Sequence, residues 1–350
     1  MPSNPSPSNS CRFEGCTLTG ALSVTTSVCD SISVVHGPSG CAHHNFSLLH
    51  TTGIDNDRIT FPRLVSSGMQ DAEIVFGGEE ALERAIRSAV SDNASVIYVL
   101  STCIAETIGD DVKAVCSRDW GVPVIPIPTA GFLGGSFQKG VNNALLAVAG
   151  SAPISSQGVR LPGLVNIIGE KNLEFEVEEN YREVVRLLSL LGLRVNLRFV
   201  HRIRADEIAR LGSASFNILR DEDLGVIGEE LSRRFGTPAV TSFPAGFSGT
   251  LKFLETAAGI YGADPAEAIA KERQVQEFLI RDFADIAGLA ISADHLVDGS
   301  SCNLAVREIT GLLDMEVVRD GARVPIPPVP PVGTTGIKRM LHRWRRAVHA

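Results

Sequence analysis

Cysteine is the residue type whose positions in this 350-residue chain most directly suggest chemistry. Cys16, Cys41 and Cys103 each lie in a turn rich in small residues, and the last two closely follow short apolar runs at 32–35 and 96–100. Such runs predict buried strands, and α/β folds place ligand sites where a parallel strand ends and a helix begins. Thiolates are stabilised at helix N-termini. Three of them gathered there would suit a zinc ion or an iron–sulfur cluster, and the spacing alone favours neither.

The four other cysteines carry weaker signals. Cys29 and Cys116 lie in apolar surroundings, which predicts that both belong to the core. Cys11, shortly before the first of the three turns, is a candidate auxiliary ligand. Cys302, together with His295, follows a predicted short strand, and both residues are candidates for lining a pocket.

Histidine and aspartate side chains near the cysteine turns offer acid–base groups. His43 and His44 follow the second cysteine turn, where they form either an ordinary helix surface or interface, or a proton donor to a substrate. Neighbouring side chains on a helix point in different directions, so at most one of them faces a given site. His36 is expected to stabilise its own turn. Asp110 and Asp111 follow the third turn and are expected to bind backbone or basic groups rather than to act as acids.

Composition and missing motifs exclude several function classes. The net charge of −8 argues against a general nucleic-acid-binding surface. No apolar run reaches the roughly 20 residues of a membrane span, and the first ten residues do not resemble a signal peptide, so we expect a cytoplasmic protein. The sequence contains no P-loop, intact dinucleotide fingerprint, serine-hydrolase elbow or zinc-protease motif. ATP hydrolysis by this chain is therefore not expected.

Strand and helix patterns alternate along the chain, which favours layers of parallel sheet covered by helices. A strand at 122–127 contains prolines, which suggest a sheet edge. Further strands are predicted at 164–168, 193–199, 237–242, 289–292 and 315–318, and helices at 79–90, 178–191, 224–235, 249–261, 265–286 and 302–313.

The predicted organisation is a leader followed by three α/β domains and a tail. The tail mixes five basic residues with apolar ones, and we favour a solvated helix over one that docks to an acidic partner. The boundaries are a disordered leader at 1–10, a cluster-binding domain at 11–160, a second domain at 161–247, a shortened third domain at 248–323, and a Pro-rich spacer with a basic helix at 324–350.

Five segments of the first 150 residues carry a more specific signal. They are Gly15-Cys16 with Gly20-Ala21, HGPSGC at 36–41, IVFGGEEAL at 74–82, STCIAETIGDD at 101–111 and GVPVIPIPTAGFLGG at 121–135. In this order they resemble the nitrogenase component 1-type oxidoreductase family. The resemblance implies three Rossmann-like units with mostly parallel sheets and flanking helices, the third unit being shortened.

The resemblance also implies a cofactor and partners. In that family the cysteines that match Cys16, Cys41 and Cys103 bind an iron–sulfur cluster at a subunit interface. We therefore expect a 4Fe-4S cluster in a homodimer, which receives electrons from a separate ATP-dependent iron–sulfur reductase resembling the nitrogenase iron protein. Such proteins position a substrate while the cofactor supplies the electron chemistry.

Departures from the family pattern narrow the implied activity. No cysteine lies between Cys116 and Cys302, whereas the nitrogenase catalytic subunit has a mid-chain cysteine that binds its cofactor. The short chain and CAHHNFSLLH at 41–50 look most like the catalytic component of nickel-sirohydrochlorin a,c-diamide reductive cyclase, which implies a nickel-tetrapyrrole substrate, ring reduction and lactam formation. The alternatives are a nitrogenase-cofactor assembly scaffold, another nitrogenase-like tetrapyrrole reductase, or a zinc-stabilised structural protein.

Overall fold

The computed structural model describes residues 15–59, 61–151, 160–174, 176–292, 301–327 and 329–349. The predicted leader, Cys11 and His295 lie outside the described residues, and the described part of Cys302 is its backbone, near the start of a helix. Among the helices described, none has the length and apolar character needed to cross a membrane.

Eleven strands in the described part of the chain form three sheets. They are β1 (Ser31–His36), β2 (Leu64–Ser66), β3 (Val96–Ser101), β4 (Val124–Pro128), β5 (Leu164–Ile168), β6 (Arg194–Phe199), β7 (Phe216–Leu219), β8 (Ala239–Val240), β9 (Ala290–Ser292), β10 (Glu316–Val317) and β11 (Ala322–Arg323). The sheet orders are β2-β1-β3-β4, β6-β5-β7-β8 and β10-β9-β11. All pairings in the first and third sheets are parallel, and so is the β5–β7 pairing. The predicted α/β class with parallel sheets is confirmed, and the third sheet is the shortened one.

Helices connect and flank the strands. They are α1 (Thr17–Thr25), α2 (Ser39–Asp55), α3 (Asp71–Phe76), α4 (Glu79–Ser91), α5 (Cys103–Ile108), α6 (Val112–Cys116), α7 (Phe137–Gly150), α8 (Val177–Leu190), α9 (Gly225–Phe235), α10 (Gly246–Tyr261), α11 (Ala266–Asp282), α12 (Ser301–Leu312) and α13 (Gly333–Val348). The apolar stripe predicted at 79–90 is the buried face of α4, because its alanines and leucine recur at helical spacing.

The chain divides into two compact units. The described residues of 12–177 and 195–239 form the first unit, and those of 178–194 and 240–350 form the second. The first unit contains the first sheet and most of the second, whereas the third sheet lies in the second unit. The domain boundaries proposed at 161 and 248 remain predictions.

The first sheet determines where the cysteine turns emerge. Strands β1 and β3 are buried along their whole length, and β4 lies at the edge, as its prolines predicted. In the register, His36 pairs with Ser101 and Ser101 pairs with Pro128. The three strands therefore end level, and the segments that follow them leave the sheet side by side. We call these segments, 37–41, 102–103 and 129–135, the cysteine edge.

Helix α1 reaches this edge through close packing against α7. A Cβ atom at Gly20 would lie 2.1 Å from the carbonyl oxygen of Phe137, and one at Gly140 would lie 1.9 Å from that of Thr17. Only glycine allows the two backbones to approach so closely. The crossing of α1 and α7 thus places the N-terminus of α1, with Cys16 before it, next to the segment that leads into α7.

The basic C-terminal segment is part of the core of the second unit. Ile337, Met340, Leu341 and Trp344 of α13 are all buried, and the Trp344 indole donates a hydrogen bond to the Pro325 carbonyl at 3.0 Å. The prediction of a solvated tail helix is therefore wrong. Its apolar residues recur at three- and four-residue spacing, and this stripe packs in the second unit while basic residues occupy the other face.

Candidate functional site

Three cysteines lie at the beginnings of three helices; Cys41 and Cys103 belong to the cysteine edge, and Cys16 lies next to it. Cys16 is the N-cap residue of α1, Cys41 is the third residue of α2, and Cys103 is the first residue of α5. Gly37 and Pro38 follow β1 and turn the chain into α2, and the Cys41 amide donates to the Pro38 carbonyl at 3.2 Å. The predicted placement of Cys41 and Cys103 where strands end and helices begin is confirmed.

The turn at 131–135 contacts two of the three cysteines. The Phe132 amide donates to the Cys103 sulfur at 3.5 Å. A Cβ atom at Gly131 would lie 3.7 Å from the Cβ atom of Cys16. Residues from three separate parts of the sequence therefore meet around one glycine-containing turn.

The titration of Cys41 reflects the same convergence. Although Cys41 as a whole residue is exposed, partial burial of its thiol raises the thiol's pKa. The neighbouring Cys16 and Cys103 raise it further, because ionised thiols at close range repel one another. All three are free thiols; Cys16 and Cys41 are exposed, and Cys103 is half-buried. Bonding to a positively charged metal centre would relieve this repulsion, and cysteine thiolates are the usual ligands of iron–sulfur clusters. The donor set thus fits such a cluster.

No group of three or more His, Cys, Asp or Glu residues within the described ranges lies close enough together to hold one metal ion.

A buried histidine braces the turn that leads to Cys41. The two ring nitrogens of His36 lie 3.0 Å from the Ser67 hydroxyl and 2.9 Å from a carboxylate oxygen of Asp110. The Ser67 hydroxyl also accepts the Gly37 amide at 2.9 Å, and Asp110 accepts the Gly78 amide at 2.9 Å. Burial lowers the pKa of His36 although Asp110 opposes this effect. His36 therefore stabilises its turn, as predicted, by connecting it to two other segments.

Two threonines adjoining the cysteines have buried hydroxyls that lack a partner among the residues the structure describes. Thr17, directly after Cys16, is 1% exposed, and Thr102, directly before Cys103, is 2% exposed. Neither hydroxyl oxygen makes a hydrogen bond within the part of the chain that the structure describes. Buried polar groups in proteins are almost always paired, so each exception requires an explanation.

The remaining predicted residues have varied outcomes. His43 and His44 are exposed on α2, and their role as proton donors remains a prediction. Asp111 caps α6 by accepting the Ala114 amide at 2.9 Å, which confirms a backbone role. Cys116 is buried as expected, whereas Cys29 is exposed; the core assignment of Cys29 is wrong because it lies in the turn between α1 and β1.

Sequence reasoning missed the contacts of Phe132 and the hydroxyls of Thr17 and Thr102. Glycines such as those at 131 and 134–135 are typical of a tight turn, but they do not reveal which cysteines such a turn meets. The two threonines are adjacent to cysteines in sequence, and only their burial without partners makes them distinctive.

Comparisons with known proteins agree on one family. The sequence profile described as nitrogenase component 1 type oxidoreductase matches residues 16–318. The chain is 28% identical over 277 residues to the nitrogenase iron-molybdenum cofactor biosynthesis protein NifE of Clostridium pasteurianum, which covers 77% of this chain and 59% of that protein. It is 26% identical over 331 residues to NifE of Methanococcus maripaludis, with 88% and 65% covered.

The fold agrees with that of a solved nitrogenase structure. The structure titled Nitrogenase Cp1 at pH 5 superposes with a TM-score of 0.68 at 22% identity and covers 87% of this chain and 63% of that one. The chain spans about three-fifths of the length of these proteins.

Proposed function

The chain belongs to the nitrogenase component 1 type oxidoreductase family, and on this premise we propose that it binds an iron–sulfur cluster and takes part in the biosynthesis of a larger metal cofactor. Cys16, Cys41 and Cys103 would provide the cluster ligands. The observation that carries this proposal is the placement of the three thiols at the beginnings of α1, α2 and α5 along one sheet edge, where Cys16 and Cys103 contact the same turn.

The relatives support a role as an assembly scaffold. The two NifE proteins, named for biosynthesis of the iron-molybdenum cofactor, align with most of this chain. A scaffold of this kind would hold a nascent metal cofactor while its own cluster supplies electron chemistry. The name NifE supports this role better than it supports the tetrapyrrole cyclase implied by sequence resemblance.

The reductive cyclase remains a second candidate because of one sequence feature. No cysteine lies between Cys116 and Cys302, so this part of the chain has no thiolate with which to hold a nascent cluster. In a nickel tetrapyrrole the macrocycle itself coordinates the nickel ion, so binding this substrate requires no protein thiolate. In this second role, His43 or His44 would be candidates for proton donation to the ring.

Partners follow from the same proposal. Electrons would come from an ATP-dependent iron–sulfur reductase, and the cluster would be of the 4Fe-4S type in a homodimer. A cluster position between subunits is what the family resemblance implies, since the cysteines that match Cys16, Cys41 and Cys103 bind their cluster at a subunit interface in that family.

Metal analysis of protein purified without oxygen tests the cluster. We expect iron and acid-labile sulfide in the wild-type protein and in Cys29→Ala, an exposed cysteine away from the three turns, but not in Cys41→Ala. Zinc without sulfide, or iron retained by Cys41→Ala and lost by Cys29→Ala, would contradict the proposal.

Two incubations of the iron-loaded protein separate the candidate roles. A scaffold should retain a nitrogenase-cofactor precursor through anaerobic gel filtration and should not convert nickel-sirohydrochlorin a,c-diamide. A cyclase should convert that tetrapyrrole when the ATP-dependent reductase and a reductant are supplied, and it should not retain the precursor.

A further inference from the structure

The hydroxyls of Thr17 and Thr102 lie within the turns that carry the proposed ligands. The Thr102 hydroxyl oxygen would be 2.1 Å from a Cβ atom at Gly37, in the turn that ends at Cys41. The Thr17 hydroxyl oxygen would be 2.2 Å from a Cβ atom at Gly135 and 3.6 Å from one at Gly131, in the turn that contacts Cys16 and Cys103. The missing side chains of these glycines therefore make the space that the two hydroxyls occupy.

The lack of a partner distinguishes these two threonines from a third buried threonine on the same edge. Thr129 is as buried, at 1% exposure, and follows β4 on the same edge, but its hydroxyl donates to the Ser101 carbonyl at 2.6 Å. Thr102 is the N-cap residue of α5, a position where a threonine hydroxyl ordinarily accepts a helix amide, yet it makes no such bond. Of these three buried threonine hydroxyls, the two that have no partner in the described part of the chain are those adjoining Cys16 and Cys103.

We propose that Thr17 and Thr102 donate hydrogen bonds to sulfur atoms of the iron–sulfur cluster and thereby orient the cluster and raise its reduction potential. This inference rests on the proposed cluster function. Reduction adds one electron and hence one negative charge to the cluster, and a hydroxyl hydrogen directed at its sulfur stabilises that charge. Hydrogen bonds to cluster sulfurs are an established determinant of reduction potential. Both threonines are positioning residues, since the electron resides on the cluster.

Threonine-to-valine substitutions test the proposal because they remove the hydroxyl and keep the shape. In Thr17→Val and Thr102→Val we expect a midpoint potential more negative than that of the wild type, measured by redox titration with electron paramagnetic resonance. The shifts should add in the double variant, and Thr102→Ser, which keeps the hydroxyl, should retain the wild-type potential. In the iron-free protein both valine variants should melt at or above the wild-type temperature, because no unpaired hydroxyl remains buried.

Thr129→Val is the matched control. It removes a hydroxyl that has a protein partner, so we expect it to lower the melting temperature of both iron-free and iron-loaded protein and to leave the potential unchanged. If valine disturbs folding at either site, Thr17→Ala and Thr102→Ala remove the same hydroxyls with a smaller side chain.

Three results would overturn the inference. Unchanged potentials in both valine variants would assign the hydroxyls to buried water rather than to the cluster. A lower melting temperature of the iron-free valine variants would show that the hydroxyls have partners within the protein. A wild-type protein that binds no iron would overturn the proposed function as well, whereas iron binding with unchanged potentials would overturn the threonine contacts alone.

Discussion

The beginning of α13 and the cysteine edge both place polar groups at helix N-termini. Among the described residues, the groups at α13 have partners, whereas two of the hydroxyls at the cysteine edge do not. Glu183 and Glu272 lie beside α13 with side chains 1% and 0% exposed, and Arg186 pairs with both carboxylates at 2.8 Å. Thr334 donates to Glu272 at 2.5 Å, and the Thr335 hydroxyl donates to Glu183 at 2.6 Å. These carboxylates thus have both a counter-charge and donors.

The cysteine edge shows the opposite arrangement. Its thiols have weak protein contacts and repel one another when ionised, and two adjoining hydroxyls have no partner among the described residues. The pKa shifts in the two regions also have opposite directions. Burial and neighbouring thiols raise the pKa of Cys41, whereas hydrogen bonds from Arg186 and Thr335 outweigh burial and lower the pKa of Glu183. The carboxylates at the beginning of α13 are paired by neighbouring side chains and have a structural role, whereas the cysteine edge is suited to binding a group from outside the chain.

Removing a ligand thiol should have the largest effect. Cys41→Ala is expected to abolish iron binding, because water replaces a thiolate poorly at iron, while it changes the stability of iron-free protein by no more than about 0.5 kcal/mol, as for an exposed position. Iron analysis and urea unfolding of the iron-free protein measure the two quantities. Cys116→Ala, at a buried core position, is the control and should retain iron while losing about 1 kcal/mol of stability.

Removing a carboxylate from the α13 network should produce the reverse pattern. Glu272→Ala leaves Arg186 and Thr334 without one of their partners and is expected to lower the free energy of unfolding by about 3 kcal/mol. The iron content per folded molecule should stay at the wild-type value. Loss of iron in a variant that unfolds normally would contradict the separation of the two regions.

Increasing the distance between the backbones of α1 and α7 should move Cys16 relative to the cysteine edge. A methyl group at Gly140 would overlap the Thr17 carbonyl, so Gly140→Ala is expected to cost about 2 kcal/mol and to weaken iron binding by moving Cys16. Gly150→Ala near the end of the same helix meets no atom within 4 Å and is the control. Equal iron affinities in the two variants would show that the crossing does not position Cys16.

Acid should destabilise the two regions in different pH ranges, and this is the smallest effect. The folded-state pKa of His36 is lowered from 6.5, so its contribution to stability is present above pH 6.5 and is lost as the pH falls through the folded-state value. The pKa of Glu183 is lowered from 4.5, so its contribution disappears only below pH 4.5. Because each group binds one proton, it changes the slope of the free energy of unfolding against pH by at most about 1.4 kcal/mol per pH unit.

Unfolding measured from pH 7.5 to pH 4 on iron-free protein checks these ranges. In His36→Asn the free energy of unfolding should depend less on pH just below pH 6.5. In Glu183→Gln it should depend less on pH only below pH 4.5. Identical pH profiles for the two variants would mean that the two regions do not titrate separately.

The local pattern of apolar and polar residues was sufficient to predict many strands and helices of the fold. The predicted strand at 164–168 coincides with β5, and the helices predicted at 79–90 and 224–235 differ from α4 and α9 by one residue at one end. These elements have strong apolar periodicity and clear ends, which depend on nearby residues. By contrast, β7 and α7 were not predicted, because their apolar residues show no distinctive periodicity without the layers that cover them.

The amino-acid sequence by itself determined the α/β class, the family resemblance and the choice of Cys16, Cys41 and Cys103, since these depend on residue types in short turns. Only the tertiary structure decided which side chains meet. The approach of Cys16 to the 131–135 turn depends on the crossing of α1 and α7, and the burial of Trp344 depends on a core assembled from distant segments. The hydroxyls of Thr17 and Thr102 likewise become unusual only once packing has removed them from water. Contacts between residues far apart in the chain arise from packing and strand register, and no local pattern encodes them.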